Sequence, residues 1–376
     1  MARTVGVLGS SFEACRAALE IVDATADRPH LEVEIVADRD PYAYPPLLPF
    51  VVAGDLAPNH ASFSASGLLP EEVTVRIGNI ERFDPQSGSL TVDGEPVEFD
   101  YLLLAPAAQR PADTASHHLD TVRAAVELRE HLREEGNDPV DIRGATLSAV
   151  ETSAELAAAG ETTRPVRLSA GRSNLTPDVP AAARDAIRDR LRELGVDLAL
   201  DGGGEPDSPA SVVIDCRPGV APDWLRRAEM CDEGGRFAVD AHLGALAADR
   251  IFGAGPVAIR PEAGGGRDAV RPVDRYPSEP GRLAARNLLA ELAGRSLRRW
   301  ESGASGWAVA AGGGDGIVDW QGLQLDGRIG GIAHRVVHAR RLPTARARAA
   351  VITDTIDFRG GVDEALDHLD RLVTRS

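Results

Sequence analysis

The sequence predicts an α/β fold with two doubly wound, Rossmann-like nucleotide-binding domains and a short C-terminal region. Three observations support this fold class. Residues 4–38 form a strand, a tight turn, a helix and an alternating second strand. A second strand-and-turn pattern occurs near residue 148. Residues 101–104 are apolar throughout, which is typical of a central strand in a parallel sheet.

The first turn approximates the dinucleotide fingerprint, which requires glycine at positions 9, 11 and 14. The chain has Gly9, Ser11 and Ala14 there, and all three are small enough for a close approach of backbone to a pyrophosphate. The helix that follows would offer its N-terminal amides to a phosphate, and Asp38 would accept a hydrogen bond from a ribose hydroxyl. The alternative is an ordinary strand–turn–helix with a surface aspartate.

Four stretches carry a resemblance to a known family. They are the Pro-rich loop at 38–49 with the segment 52–56 after it, the strand at 99–105, and the helix start Gly-Arg-Leu-Ala-Ala-Arg-Asn at 281–287. Together they resemble the type II NADH dehydrogenases, which belong to the FAD-dependent group that includes the sulfide:quinone oxidoreductases. The resemblance extends to about residue 342.

The resemblance implies an FAD-dependent oxidoreductase that accepts hydride and passes electrons to a quinone-like acceptor. It implies an FAD domain made of residues 1–110 and 250–305, an NAD(H) domain at 111–249, and C-terminal strands and helices at 306–376. Hydride transfer needs no acid or base, so no catalytic side chain is assigned. The cofactor-binding residues that it implies are Gly9, Ser11, Ala14, Asp38, Arg39, Pro46, Ala105, Gly255 and Arg282.

Two departures affect the flavin end of the first site. The family's Ala-Thr-Gly is Ala105-Pro106-Ala107 here, and Pro256 stands where the family has an aspartate that binds the ribityl chain. Losing one charge-assisted hydrogen bond costs roughly 1.5–3 kcal/mol, so we expect FAD to bind more weakly than in the family. Arg282 would pair with flavin or phosphate, or is simply a solvated arginine at a helix start.

The second turn departs further. An apolar strand at 145–150 places Ser148, Val150 and Ser153 at the glycine positions, and a branched Val150 would obstruct a pyrophosphate. The next strand ends at Ala170 without the acid that would bind a ribose. The sequence therefore predicts weak or absent NADH binding.

Charge, cysteine pattern and hydropathy limit the kinds of protein that this chain can be. The net charge is −17 and the chain has no lysine, which suggests a salty cytoplasm where carboxylate repulsion is screened and argues against a nucleic-acid partner. The three cysteines form no CxxC pair, so a redox-active dithiol is unsupported and an intracellular location is expected. No apolar run is long enough for a transmembrane helix.

The C-terminal region has the one basic cluster in the chain, and this cluster indicates at most a weak, electrostatic contact with the inner face of the cell membrane. His334 and His338 are four residues apart without an acidic partner nearby in sequence, so we expect surface histidines and no metal site. The arginines of the cluster are Arg335, Arg340, Arg341, Arg346 and Arg348.

Two rival functions remain at the level of sequence. One is a non-catalytic relative of the same fold that has lost its cofactors and acts as a binding or regulatory protein, because the cofactor motifs depart from the family at several points. The other is an unrelated reductase with a single Rossmann domain. The helix start at 281–287 disfavours the single-Rossmann reductase, because it resembles the segment with which the family's chain returns to its first domain.

Overall fold

A computed structural model describes residues 3–25, 31–39, 42–71, 73–110, 116–159, 164–171, 175–176, 179–201, 212–261, 267–269, 275–276, 279–301, 306–320 and 322–357. The chain folds into two compact units. The first comprises Met1–Tyr44, Ser62–Asp113 and Pro218–Ser305, and the second comprises Pro45–Ala61, Thr114–Arg217 and Gly306–Ser376.

The described elements alternate between strands and helices. The strands, β1 to β22 in chain order, are Arg3–Leu8, Leu31–Ala37, Tyr42–Ala43, Ser62–Phe63, Thr74–Ile77, Ile80–Asp84, Ser89–Val92, Glu95–Glu98, Tyr101–Leu104, His117–His118, Val140–Arg143, Val166–Ser169, Asp197–Ala199, Val212–Asp215, Phe237–Ala238, Ile251–Gly253, Ala258–Pro261, Arg267–Ala269, Arg275–Tyr276, Gly306–Ala310, Gly316–Trp320 and Leu323–Leu325. The α-helices, α1 to α10, are Phe12–Thr25, Leu48–Ala53, Ala65–Leu68, Val122–Glu134, Leu147–Ala158, Ala181–Glu193, Asp223–Arg227, Pro280–Leu292, Gly327–Ala339 and Ala345–Asp357. Short 3-10 helices occupy Pro45–Leu47 and Pro58–His60.

The first unit is built on a parallel five-stranded sheet with the order β16-β9-β1-β2-β5. Strand β9 lies between β1 and β16, and its Leu102, Leu103 and Leu104 are buried. The late strand β16 pairs with those three leucines, so the chain returns to its first sheet after residue 250. This arrangement confirms the doubly wound α/β class.

The second unit has its own parallel sheet, with the order β10-β14-β11-β12-β13. The strand predicted at 145–150 is wrong: the strand is β11, Val140–Arg143, and α5 has already begun at Leu147. The apolar residues within 145–150 instead lie on the buried face of α5. A short apolar run is compatible with either a strand or a helix, so the sequence alone could not tell which of the two forms here. Strand β11 escaped notice because it carries Asp141.

The core of the second unit contains buried charged side chains. One carboxylate oxygen of Glu151 on α5 accepts a hydrogen bond from the Ala310 amide at 2.9 Å and lies 3.0 Å from Nε2 of His334 on α9. His334 and His338 are 1% and 2% exposed, so the prediction of surface histidines is wrong. Their four-residue spacing places both on the inward face of α9, where their rings lie 4.4 Å apart.

Glu155 lies one helical turn beyond Glu151 and is almost fully buried. Burial raises the pKa of Glu155 to about 8; the positive charge of Arg335 opposes this shift, and the neighbouring carboxyl of Asp55 adds to it. The Arg335 guanidinium lies 3.6 Å from the centre of the Phe50 ring, which is a cation–π contact. Burial and the charges around it also hold the pKa of His338 well below its usual range, so this imidazole is neutral near pH 7.

The raised pKa of Glu155 predicts a specific pH dependence of stability. A glutamate in the unfolded chain has a pKa of ~4.3, so between that pH and about 8 the folded protein holds one proton more at Glu155 than the unfolded chain does. Glu155 therefore contributes a fall of ~1.4 kcal/mol per pH unit to the free energy of unfolding as pH rises through this window. Glu155→Gln mimics the protonated acid and should flatten this slope, as measured by urea unfolding across the window.

Glu134→Gln is the matched control, because Glu134 is an exposed glutamate at the end of a helix in the same unit. This variant should keep the wild-type slope. A Glu155→Gln protein whose stability falls with pH as steeply as the wild type would contradict the assignment.

Candidate functional site

The first turn is shaped by Gly9, which follows β1. Its φ is +127°, and a Cβ at this position would overlap the carbonyl oxygen of Ala105 at the end of β9. The Gly9 amide donates to the Val36 carbonyl on β2 at 2.8 Å. Only glycine fits a backbone held between two neighbouring strands in this way.

Besides Gly9, four of the residues assigned to the cofactor lie at or next to this turn. The Ser11 hydroxyl donates to the Ala105 carbonyl at 2.7 Å, and the Ser11 amide donates to the same oxygen at 3.3 Å. Gly255 has φ +97°, and a Cβ there would lie 3.1 Å from the Ser11 hydroxyl. Ala14 is fully buried one turn into α1, where a larger side chain would separate helix from sheet.

Ser10 provides an independent indication of a ligand. Its hydroxyl is buried and has no hydrogen-bond partner among the residues that the structure describes. A buried hydroxyl without a partner costs ~1–3 kcal/mol, so such a group is unusual unless a ligand or water satisfies it. It lies directly before the N-terminus of α1, where a phosphate oxygen would accept from it.

Asp38 and Arg39 lie where the sequence placed them, directly after β2. Asp38 is exposed, and its carboxylate lies 3.3 Å from the Arg39 guanidinium. An exposed pair in this geometry is weak, so the carboxylate stays accessible to a ribose hydroxyl.

Arg282 makes two ion pairs at the start of α8, and its contact with a flavin or a phosphate stays a prediction. Its guanidinium lies 2.7 Å from the carboxylate of Glu20 on α1 and 2.6 Å from that of Glu279. Arg286 adds a second ion pair to Glu20 at 2.6 Å, so these arginines fasten α8 to α1.

Sequence reasoning missed Glu13. Its side chain is 2% exposed, and one carboxylate oxygen accepts a hydrogen bond from the Gly281 amide in the first turn of α8. The fingerprint leaves position 13 open, so the sequence contained no signal for this contact, which forms only when α8 lies beside α1.

Pro46 belongs to the second unit. It is buried in the 3-10 helix Pro45–Leu47, which leads directly into α2. The proximity of this loop to a flavin stays a prediction.

The second turn starts four residues earlier than the sequence indicated. It is Gly144, with φ +138°, where a Cβ would lie 3.0 Å from the Cys216 carbonyl. The Thr146 hydroxyl donates to that carbonyl at 2.9 Å and accepts from the Ala149 amide, so it caps α5. Gly144, Thr146 and Ala149 thus repeat the spacing of the first turn.

This register corrects the assignment of the glycine positions in the second unit. Ser148, Val150 and Ser153 all lie within α5, and Val150 is buried in the core, so it cannot obstruct a ligand in the way that was predicted. The Ser153 hydroxyl donates to the Ala149 carbonyl at 2.7 Å. Ala170 does follow the end of β12, so the ribose acid is absent from that position.

Both turns therefore fit the adenosine and phosphate parts of a dinucleotide, because each has the glycine that the turn requires and a helix N-terminus after it. At the first turn, the unpartnered Ser10 hydroxyl and the accessible Asp38 add to this fit. The start of α8 has a different environment, because the Glu13 carboxylate lies at its N-terminus.

Other site types have no support in the described part of the chain. No group of three or more His, Cys, Asp and Glu side chains there could hold a metal ion. The three cysteines are free, and burial raises the pKa of the Cys231 thiol to about 11, so it is unreactive. None of the described helices combines the length and apolar character that crossing a bilayer requires.

Solved structures share this fold over nearly the whole chain. The sulfide:quinone oxidoreductase of Aquifex aeolicus is 17% identical with a TM-score of 0.74, and the match covers 94% of this chain and 93% of that one. NDH2 of Plasmodium falciparum, solved in complex with NADH, is 13% identical with a TM-score of 0.77, covering 95% and 98%. A ferredoxin reductase of Rhodopseudomonas palustris is 17% identical with a TM-score of 0.65, covering 84% and 81%.

Sequence comparison gives the family. No curated protein matches the sequence. The model of the family described as pyridine nucleotide-disulphide oxidoreductase matches residues 3–203, which include both glycine turns and the strands that carry them. The chain therefore belongs to the pyridine nucleotide-disulphide oxidoreductase family.

Proposed function

We propose that this protein is an FAD-dependent oxidoreductase that takes hydride from a pyridine nucleotide and passes electrons to a quinone-like acceptor. The observation that carries the proposal is the repeated turn: Gly9-x-Ser11-x-x-Ala14 and Gly144-x-Thr146-x-x-Ala149 each end a strand of a parallel sheet and begin a helix. Two such turns, each in a separate sheet, provide one place for each of two dinucleotides.

The first turn would hold FAD. The Gly9 turn lets the backbone approach the pyrophosphate, and the Ser10 hydroxyl donates to a phosphate oxygen. Asp38 accepts from the adenosine ribose. FAD, when bound, supplies the ring that accepts hydride, while these residues bind and orient it.

The second turn would hold the pyridine nucleotide. Gly144 allows the backbone approach, and the N-terminus of α5 faces the phosphates. Ala170 offers no acceptor to a ribose hydroxyl, so this site gains no hydrogen bond there and we expect modest affinity. The NADH complex of the Plasmodium NDH2 supports the choice of donor by analogy of fold.

The acceptor is proposed from the sulfide:quinone oxidoreductase neighbour and from the surface of the second unit. Quinones reside in membranes, and three large apolar side chains of this unit are exposed: Trp320 at 43%, Leu323 at 58% and Ile329 at 63%. Trp320 and Leu323 are paired across the β21–β22 hairpin. Trp320 is the kind of aromatic anchor that sits at membrane interfaces.

The basic cluster contributes less than the sequence suggested. Arg335 and Arg341 are 6% and 4% exposed, which leaves Arg340, Arg346 and Arg348 on the surface. We therefore propose that the hairpin provides the main membrane contact, since three exposed arginines are heavily screened in salt.

Gly144→Ala tests the second turn. The added methyl group would meet the Cys216 backbone and occupy a positive φ that alanine adopts poorly. We expect the affinity for NADH, measured by fluorescence titration, to fall at least tenfold, because helix α5 would shift from the phosphates.

Gly171→Ala is the matched control, since this glycine lies just after the neighbouring strand β12 and a Cβ there would meet nothing within 4 Å. It should bind NADH as the wild type does. Unchanged NADH affinity in a folded Gly144→Ala protein would show that the nucleotide does not bind at this turn.

The double substitution of Trp320→Ser and Leu323→Ser tests the membrane contact. We expect sedimentation with vesicles of anionic lipid in high salt to be largely lost, because the apolar contribution does not depend on screening. Leu246→Ser, which alters an equally exposed leucine of the first unit, should sediment like the wild type. Full retention of binding by the double variant would exclude the hairpin as the contact.

A further inference from the structure

Two helix N-termini of the first unit meet at the carboxyl edge of the parallel sheet. Helix α1 begins at Phe12, directly after the turn, and α8 begins at Pro280. Their first turns touch, because a Cβ on Gly281 would lie 2.6 Å from the Glu13 carbonyl oxygen. A helix N-terminus carries about half a positive charge, so two of them side by side form a strong site for an anion.

The protein places its own anion there. The carboxylate of Glu13, on α1, accepts the hydrogen bond from the Gly281 amide, while the α8 N-cap residue, Glu279, makes no side-chain capping bond. Glu13 therefore caps α8 from a neighbouring helix. Its burial leaves this carboxylate little solvent to compensate its charge, so the bond from the helix amide contributes to its stabilisation.

Ion pairs also join the two helices, at a distance from the first turn. Glu20 on α1 holds both Arg282 and Arg286 on α8, and Arg16 lies 3.6 Å from Glu279. These pairs lie one to two turns beyond Glu13. A dinucleotide at the first turn would bring its phosphates close to the Glu13 carboxylate.

We propose that Glu13 is an internal competitor of the cofactor: its carboxylate occupies the N-terminus of α8, and a bound dinucleotide must displace it. The inference rests on the proposed function in that FAD is the dinucleotide of this site. It adds a charge-based cause of weak binding to the two departures seen in the sequence. It also predicts that a single side chain, that of Glu13, limits the affinity for FAD.

The test compares Glu13→Gln and Glu13→Ala with the wild-type chain. FAD affinity is measured by the quenching of flavin fluorescence, and thermal unfolding of the FAD-free protein is followed by circular dichroism. Glu13→Gln keeps the shape and removes the charge, and Glu13→Ala removes both. We expect both variants to bind FAD at least about tenfold more tightly, since a charge-assisted hydrogen bond no longer has to be broken. Without FAD, we expect Glu13→Ala to unfold at the lower temperature of the two variants, because alanine removes the cap of α8 whereas glutamine keeps an uncharged acceptor for the Gly281 amide.

Glu20→Ala is the control on the same pair of helices. It removes the ion pairs to Arg282 and Arg286 and should lower the unfolding temperature while leaving FAD affinity within about threefold of wild type. A gain in affinity confined to the Glu13 variants supports the competitor role.

The outcomes separate the inference from the proposed function. Wild-type protein that binds FAD, with Glu13 variants that bind no more tightly, overturns the inference and leaves the function standing. Wild-type protein that takes up no FAD, with Glu13 variants that do, supports the inference and contradicts FAD dependence of the natural chain. No uptake by any of the proteins overturns both.

Discussion

The close approach of a glycine to the carbonyl of a neighbouring strand is the constraint on which both units depend. Gly9 lies against Ala105, and Gly144 lies against Cys216. In each case the absent side chain lets the polypeptide turn sharply from strand to helix at the carboxyl edge of a parallel sheet. This contact sets the direction of the following helix, and therefore the place to which its N-terminal amides point.

Interactions between elements distant in sequence hold the first unit around its turn. Glu13 and Gly281 are 268 residues apart, and the hydrogen bond between them joins the first helix to the last helix of the unit. Asn287, 1% exposed, bonds through its side chain to the backbone of His242 and Arg298. The segment 281–287, which resembles the family in sequence, thus closes the fold of the first unit.

The sequence predicted a doubly wound fold for both units but misplaced the first βα turn of the second, for one physical reason. Strand β1 is apolar and its turn begins with glycine, so periodicity and fingerprint agree. Strand β11 carries Asp141, whose carboxylate accepts from Arg143 at 3.0 Å and from the Ser169 hydroxyl, and this pairing makes its burial tolerable. The apolar run that attracted the strand assignment is the inner face of α5. Pairings of this kind are formed between elements, so local sequence does not reveal them.

The same reason explains the candidate residues that sequence reasoning missed. His334 has no acidic residue close to it in sequence, yet the carboxylate of Glu151, 183 residues away, contacts its ring. Glu13 looks like an ordinary helix-start acid until α8 is placed beside it. In both cases the partner determines whether a charged residue is a solvated surface group or a buried one.

The departures from the fingerprint can be divided by their physical effect. Ser11, Ala14, Thr146 and Ala149 replace glycines with small residues, and the strand–turn–helix geometry survives at both sites. Under the proposed function, Glu13 and Pro256 alter charge instead: one places a carboxylate beside the phosphates, and the other stands where the family's aspartate would bind the ribityl chain. Volume is nearly conserved at the glycine positions, while charge at these two is not. Because helix dipoles and phosphates interact mainly through charge, we propose that electrostatic complementarity limits FAD binding in this chain, and that the number of glycines lost from the motif is a poor measure of that limit.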